Sequence, residues 1–141
     1  MRVLLADDQV AVRSALRLLL EEEPGITVVG ETDRVGSLPP ILDEICPDVL
    51  LLDWELPGMA AKATVAALRR RRPGLLVVAL SGRFEARAAS LSAGVDAFVS
   101  KTEPADILLA TLRRLRTLAA LRGPQRCSDR NDLALPARTL S

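Results

Sequence analysis

The sequence predicts an α/β protein built on a doubly wound, five-stranded parallel sheet. Two observations predict it. Short apolar runs alternate with helix-period segments five times, and the connections between them are short. A chain of 141 residues suits one domain with a real core. Five strand–helix units favour an open sheet over a closed barrel, which usually needs about eight. Right-handed crossovers are expected.

Arg2 to Ala6 reads as the first strand and Val10 to Glu22 as the first helix. Val12, Ala15, Leu16, Leu19 and Leu20 recur at helical spacing and make one apolar face. Pro24-Gly25 stops that helix. Ile26 to Glu31 is the second strand. Leu38 to Ile45 is a short helix with Leu38, Ile41, Leu42 and Ile45 on one side, and Pro47 ends it. Val49 to Leu52 is uniformly apolar, as a strand buried on both faces should be. Ala60 to Arg71 is the third helix, closed by Pro73-Gly74, and Leu75 to Leu80 the fourth strand. Phe84 to Ser92 is the fourth helix, with Gly94 at its C-terminal cap. Ala97 to Val99 is a brief fifth strand. Pro104 fits the first turn of a fifth helix that runs to about Leu121. The expected domain is 1–122. From 123 to 141 the chain turns polar, is broken by Pro136, and reads as a flexible tail with no room for a further domain.

Composition removes several function classes. Aromatics are only 2% of residues, which argues against a stacking platform for single-stranded nucleic acid. Nineteen basic and 18 acidic residues leave a net charge of +1, so nothing draws the whole chain to nucleic acid or anionic lipid. Arg69 to Arg72 form a local basic run, and the group Arg113, Arg114 and Arg116 reads as the solvated face of the fifth helix. There is no histidine, which excludes a Ser-His-Asp or Cys-His arrangement and any ordinary zinc site. Cys46 reads as a buried structural residue and Cys127 as incidental to the fold. No apolar stretch approaches the ~18 residues of a membrane span. The expected location is the cytoplasm.

Polar residues gather where the apolar strands end. The first strand runs into Asp7-Asp8, the third into Asp53, the fourth into Ser81, and the fifth into Ser100-Lys101. In an open parallel sheet these ends converge on one edge, where such folds bind ligands. Each residue alone has a bland reading: Asp7 or Asp8 as a helix cap, Ser81-Gly82 as a turn, Lys101 as a solvated side chain. Together they have a chemical one. Crowded carboxylates need a cation or a proton. With only oxygen ligands the natural cation is Mg²⁺. A carboxylate nucleophile, a metal, a lysine and a hydroxyl donor make a site for a phosphoryl group.

Four strings carry a closer likeness: Leu4-Leu5-Ala6-Asp7-Asp8, then Leu51-Leu52-Asp53-Trp54-Glu55-Leu56-Pro57-Gly58-Met59, then Ala79-Leu80-Ser81-Gly82, then Ala93-Gly94-Val95-Asp96-Ala97-Phe98-Val99-Ser100-Lys101. In this order they resemble the receiver domain of two-component response regulators, over about residues 1 to 121. The wording is similar to receivers joined to helix-turn-helix output domains. The resemblance implies a flavodoxin-like strand order 2-1-3-4-5. It makes Asp53 the phospho-acceptor, Asp7 and Asp8 the acidic pair that holds Mg²⁺ with Asp53, and Glu55 the donor of a backbone carbonyl to the metal. Ser81 becomes the switch hydroxyl and Lys101 the partner of a phosphoryl oxygen. Phe98 matches the rotating aromatic of the output face, though it reads equally well as a core phenylalanine. The sequence departs from the family in lacking the second glycine often seen after Met59.

The implied function is a single-domain response regulator, not an enzyme acting on external substrates, whose phosphorylation and dephosphorylation are autocatalytic. A histidine kinase or phosphotransfer protein would supply the phosphoryl group, and a downstream protein would read the result. A homodimer through the fourth and fifth helices is implied too, with no direct DNA binding and no membrane. An alternative is a receiver-like interaction or dimerisation module that does not use phosphorylation. A Mg²⁺-dependent phosphohydrolase is a third reading, disfavoured because no inserted cap forms a substrate pocket. Glu55 and Arg83 flank the path of a hydrolytic water, so a contact between them is expected to tune the lifetime of the phosphoryl group.

Overall fold

The computed structural model describes residues 1–123. Its elements are β1 (Arg2–Ala6), α1 (Val10–Glu21), β2 (Thr27–Thr32), α2 (Leu38–Ile45), β3 (Val49–Asp53), α3 (Ala61–Arg71), β4 (Leu76–Ser81), α4 (Ala86–Ser92), β5 (Ala97–Ser100) and α5 (Ala105–Arg122). A 3-10 turn at Val35–Ser37 leads into α2. Every strand pairing is parallel, and the order is β2-β1-β3-β4-β5. The expected fold class and strand order are therefore correct. The expected tail lies outside the described residues apart from Gly123, and so does Cys127.

The strands are apolar on both sides because helices cover both faces. Successive side chains of a strand point to opposite faces. Val3, Leu5, Val49, Leu51, Val78 and Val99 face one way and pack with Leu20 of α1 and Leu108, Leu112 and Leu115 of α5. Leu4, Ala6, Leu50, Leu52, Val77 and Ala79 face the other way, against Leu38 and Leu42 of α2 and Val65 and Leu68 of α3. β3 lies between β1 and β4 and is buried at all five of its positions. Each fully buried leucine contributes roughly 1.5–3 kcal/mol over its exposed state, so aliphatic packing holds the sheet with almost no aromatic help.

Four strands run one residue past their expected ends, to Thr32, Asp53, Ser81 and Ser100. The apolar pattern stops there, but backbone pairing does not: Asp53 still pairs with Leu80, and Ser81 with Ser100. These polar side chains are thus fixed by the sheet. α4 begins at Ala86, two residues later than expected, and Phe84 stands 86% exposed in the preceding loop. Pro104 sits just before α5, at its cap position.

The apolar face of α1 packs less completely than its period suggests. Leu20 is buried, and Leu16 and Leu19 are partly so. Val12, Ala15 and Leu16 line an open groove of about 350 Å³ whose far wall is Pro104, Ala105 and Leu108 at the start of α5. The other half of α5 is held firmly. Arg113 forms two hydrogen bonds with the Glu23 carboxylate, at 2.7 and 3.0 Å, and Arg116 donates to the Pro24 carbonyl at 3.0 Å. Arg113 and Arg114 are exposed as expected, but Arg113 and Arg116 also fasten α5 to the α1–β2 turn.

The arginine run at the end of α3 is likewise built into the fold. Arg69 binds the Leu75 and Gly94 carbonyls and Asp96, Arg71 binds Asp43, and Arg72 binds the Pro47 carbonyl. Arg72 is buried.

Ala61, the first residue of α3, has φ 28°. Side chains are disfavoured there because Cβ crowds the following carbonyl, by roughly 1–2 kcal/mol in the left-handed region. It lies two residues after Met59, in the stretch where the family often carries a second glycine. Ala61→Gly is expected to stabilise the protein by about 1 kcal/mol, the relieved strain outweighing the added freedom of the unfolded chain. Urea denaturation would measure it as a rise in midpoint with an unchanged slope.

Candidate functional site

β1 and β3 are neighbours in the middle of the sheet, and their carboxyl ends open on the same edge. Asp7 follows β1 directly, and its amide continues the ladder by donating to the Thr32 carbonyl at 3.0 Å. Asp53 is the last residue of β3. Both are buried, at 1% and 2% exposure, while Asp8 faces solvent. One carboxylate oxygen from each of the three lies within 4.8 Å of the others. The sheet therefore brings together the three acids singled out in the sequence.

Their partners are few. Asp7 Oδ1 accepts the Gln9 amide at 2.9 Å, an Asx turn that leads the chain into α1. Asp7 thus shapes the turn before α1, but neither Asp7 nor Asp8 caps the helix: Gln9 is the cap residue, without a side-chain bond. Asp53 Oδ1 accepts the Glu55 amide at 3.0 Å. Lys101 reaches both buried acids, with Nζ 2.8 Å from Asp7 Oδ2 and 3.3 Å from Asp53 Oδ1. Asp7 Oδ2 has no geometrically formed hydrogen bond among the described residues, so its charge is met only by that ion contact. Lys101 is itself placed by the sheet, its amide donating to the Ser81 carbonyl at 2.9 Å.

Burial raises the Asp53 pKa above the ordinary carboxylate value. The Glu55 amide opposes it, the Asp7 charge adds to it, and Lys101 offsets part. Burial works against the Lys101 charge, but Asp7 and Asp53 together outweigh it and raise the lysine's pKa. One ammonium against three carboxylates leaves two negative charges in excess at the edge. That excess, the oxygen-only donor set and the raised Asp53 pKa fit a hard divalent cation. Asp7, Asp8 and Asp53 would hold it, with the Glu55 carbonyl on the adjoining turn.

Ser81 ends β4 and is fully buried. Its Oγ donates to the Glu55 carboxylate, 2.8 Å from Oε1 and 2.9 Å from Oε2, and accepts the Arg83 amide at 2.9 Å. The expected Glu55–Arg83 side-chain contact is not formed. The Arg83 guanidinium sits 3.5 Å from Glu85, two residues along an exposed loop, while Glu55 turns to Ser81. A hydroxyl closer than a guanidinium took the carboxylate, and no signal in the sequence distinguishes the two. Phe98, on β5, is half-buried against the α3-side core, with the Arg87 guanidinium 6.0 Å from its ring centre.

Among the described residues no helix is long and apolar enough to cross a membrane. A family model described as the response regulator receiver domain matches residues 3–113. The nitrate/nitrite response regulator protein NarL of Escherichia coli K12 is 32% identical over 111 residues, covering 77% of this chain and 51% of that protein. The protein-glutamate methylesterase/protein-glutamine glutaminase of Symbiobacterium thermophilum is 38% identical over 104 residues, covering 71% of this chain and 28% of its own. Among solved structures, the isolated receiver domain of RcsB from Salmonella enterica serovar Typhimurium, with the phosphomimetic BeF₃⁻, superposes with a TM-score of 0.75 at 25% identity. That match covers 83% of this chain and 88% of the RcsB chain. The chain spans about half the length of NarL.

Because the Asp53 charge is disfavoured where it sits, removing it should stabilise the metal-free protein. An acid with a raised folded pKa binds protons more tightly when folded, so its cost is absent in acid, develops as pH rises above the ordinary carboxylate value, and is complete once pH passes the raised pKa. Asp53→Asn should therefore raise the thermal midpoint by a few degrees at neutral pH, with the gap closing as pH falls toward the ordinary carboxylate range. Calorimetry across pH measures it, and added Mg²⁺ should narrow the gap at neutral pH.

Proposed function

The chain belongs to the response regulator receiver family, and from that premise we propose that it is a phosphorylation-controlled switch whose acceptor is Asp53. The observation that carries the reading is Lys101, whose Nζ lies 2.8 Å from Asp7 and 3.3 Å from Asp53 at the carboxyl end of the central strands. A structural lysine would need one partner. This one spans the two buried acids and can offer a remaining N–H to a phosphoryl oxygen.

In the proposed reaction an Asp53 carboxylate oxygen attacks the phosphorus of a phosphohistidine on a kinase or phosphotransfer protein. The new O–P bond forms as the P–N bond to the donor imidazole breaks, and the electron pair leaves with that imidazole. Lys101 meets charge on the phosphoryl oxygens. Bound Mg²⁺ would supply further neutralisation of those oxygens at Asp7, Asp8 and the Glu55 carbonyl. The Asp53 side chain is held for attack by the Glu55 amide on Oδ1. The acyl phosphate then biases a two-state equilibrium through Ser81 and the half-buried Phe98. Exposed Leu91 on α4 and Ile107 and Leu118 on α5 support a protein partner, or a second copy of the chain, at that face. The arginines tied into the fold support protein rather than DNA as the partner. We place the protein in the cytoplasm, where a kinase or phosphotransfer protein can reach Asp53. We also take residues 1–122 as the working unit of the switch.

Acetyl phosphate with Mg²⁺ is expected to add one phosphoryl mass to the protein. Asp53→Asn should abolish the gain, Asp8→Asn should raise the Mg²⁺ requirement, and Lys101→Ala should slow it by about a hundredfold, the scale for losing one preorganised charge. Intact-mass spectrometry reads all three. No mass gain in the unaltered protein would favour the phosphorylation-independent interaction module.

A further inference from the structure

Ser81 is fully buried, yet its hydroxyl proton is committed to an exposed side chain. Oγ donates to Glu55, at 2.8 and 2.9 Å from the two carboxylate oxygens, and the Arg83 amide donates back to it at 2.9 Å. Among the described residues no lysine or arginine forms an ion pair with Glu55, so this bond is what fixes the carboxylate in place. A serine hydroxyl carries one proton. While that proton lies on Glu55 it cannot be given to an oxygen bound at Asp53.

We propose that Glu55 is the positioning residue for the Ser81 hydroxyl, holding its proton in the unphosphorylated protein and thereby setting how tightly a phosphoryl group on Asp53 is gripped. The inference rests on the acceptor role of Asp53. A phosphoryl oxygen must take the hydroxyl from a carboxylate, and charge-assisted hydrogen bonds are about twice as strong as neutral ones. Only the fraction of molecules with Ser81 released is ready to donate, and apparent affinity falls by that fraction. New negative charge at Asp53 also repels Glu55, two residues away, so the event that needs the hydroxyl weakens its hold. Glu55 thus serves through its side chain a purpose separate from the one its backbone carbonyl would serve.

The test uses the full chain, Mg²⁺ and beryllofluoride, with binding read through Trp54, the chain's one tryptophan and the neighbour of Glu55. Glu55→Ala should tighten beryllofluoride binding by about tenfold, the scale of one hydrogen bond no longer broken. Glu55→Gln keeps an acceptor oxygen without the charge and should fall between it and the unaltered protein. In a Ser81→Ala background Glu55→Ala should change affinity by less than about twofold, because no hydroxyl remains to release. An equal gain in both backgrounds would mean that Glu55 acts by repelling the anion, and would overturn the proposal. A second readout needs no anion: in metal-free protein Glu55→Ala should shift the Arg83 amide resonance and change the Ser81 side-chain rotamer. An unmoved Ser81 sinks the positioning role alone. Unaltered protein that takes no beryllofluoride with Mg²⁺ sinks the acceptor reading, and the inference with it.

Discussion

Three carboxylates within 4.8 Å of one another, two of them buried, are the constraint around which this molecule is arranged. They repel, and nothing in their own chemistry would keep them together. The parallel pairing of β1 with β3 does so, because adjacent strands must end side by side. The layers of leucine and valine on both faces supply the stability that the acids do not. Lys101 is the counterweight: it touches both buried acids, and its backbone is pinned to the end of β4. The almost purely aliphatic packing of the sheet supplies the stability against which these incompletely neutralised acids are held together.

Much of this was legible in the chain. Strand–helix alternation fixes a parallel sheet, and a parallel sheet sends Asp7, Asp53, Ser81 and Lys101 to one edge whatever their neighbours are. Apolar runs reported the strands well but stopped one residue short at Asp53, Ser81 and Ser100, because side-chain polarity changes there while backbone pairing continues. What stayed hidden are choices between nearly equal polar partners. Glu55 could meet Arg83 or Ser81, and the difference lies in rotamers that sequence spacing does not encode. The arginines at 113 and 116 also looked like free surface, since their partners Glu23 and Pro24 are some ninety positions away in the chain. The missing glycine after Met59 was visible, but its cost at Ala61 required a backbone angle.

The turn after β3 concentrates several duties in few residues. The Glu55 amide steadies Asp53, and its side chain engages Ser81 on the next strand. Trp54 bonds across to Leu80 through its amide, so the turn is anchored to β4 by backbone as well as side chain. Asp53 and the end of β4 are therefore joined through a short turn, with no contact of the deep core between them.

The uneven fastening of α5 has a mechanical meaning. Its second half is bolted to the α1–β2 turn by Arg113 and Arg116, whereas its first turn, next to Lys101, borders an open groove. Arg113 stands at the middle of α5, so these ties hold the helix from its midpoint onward and leave its first turn as the part with open space beside it. Any displacement of α5 driven from the acidic edge would therefore be taken up ahead of residue 113.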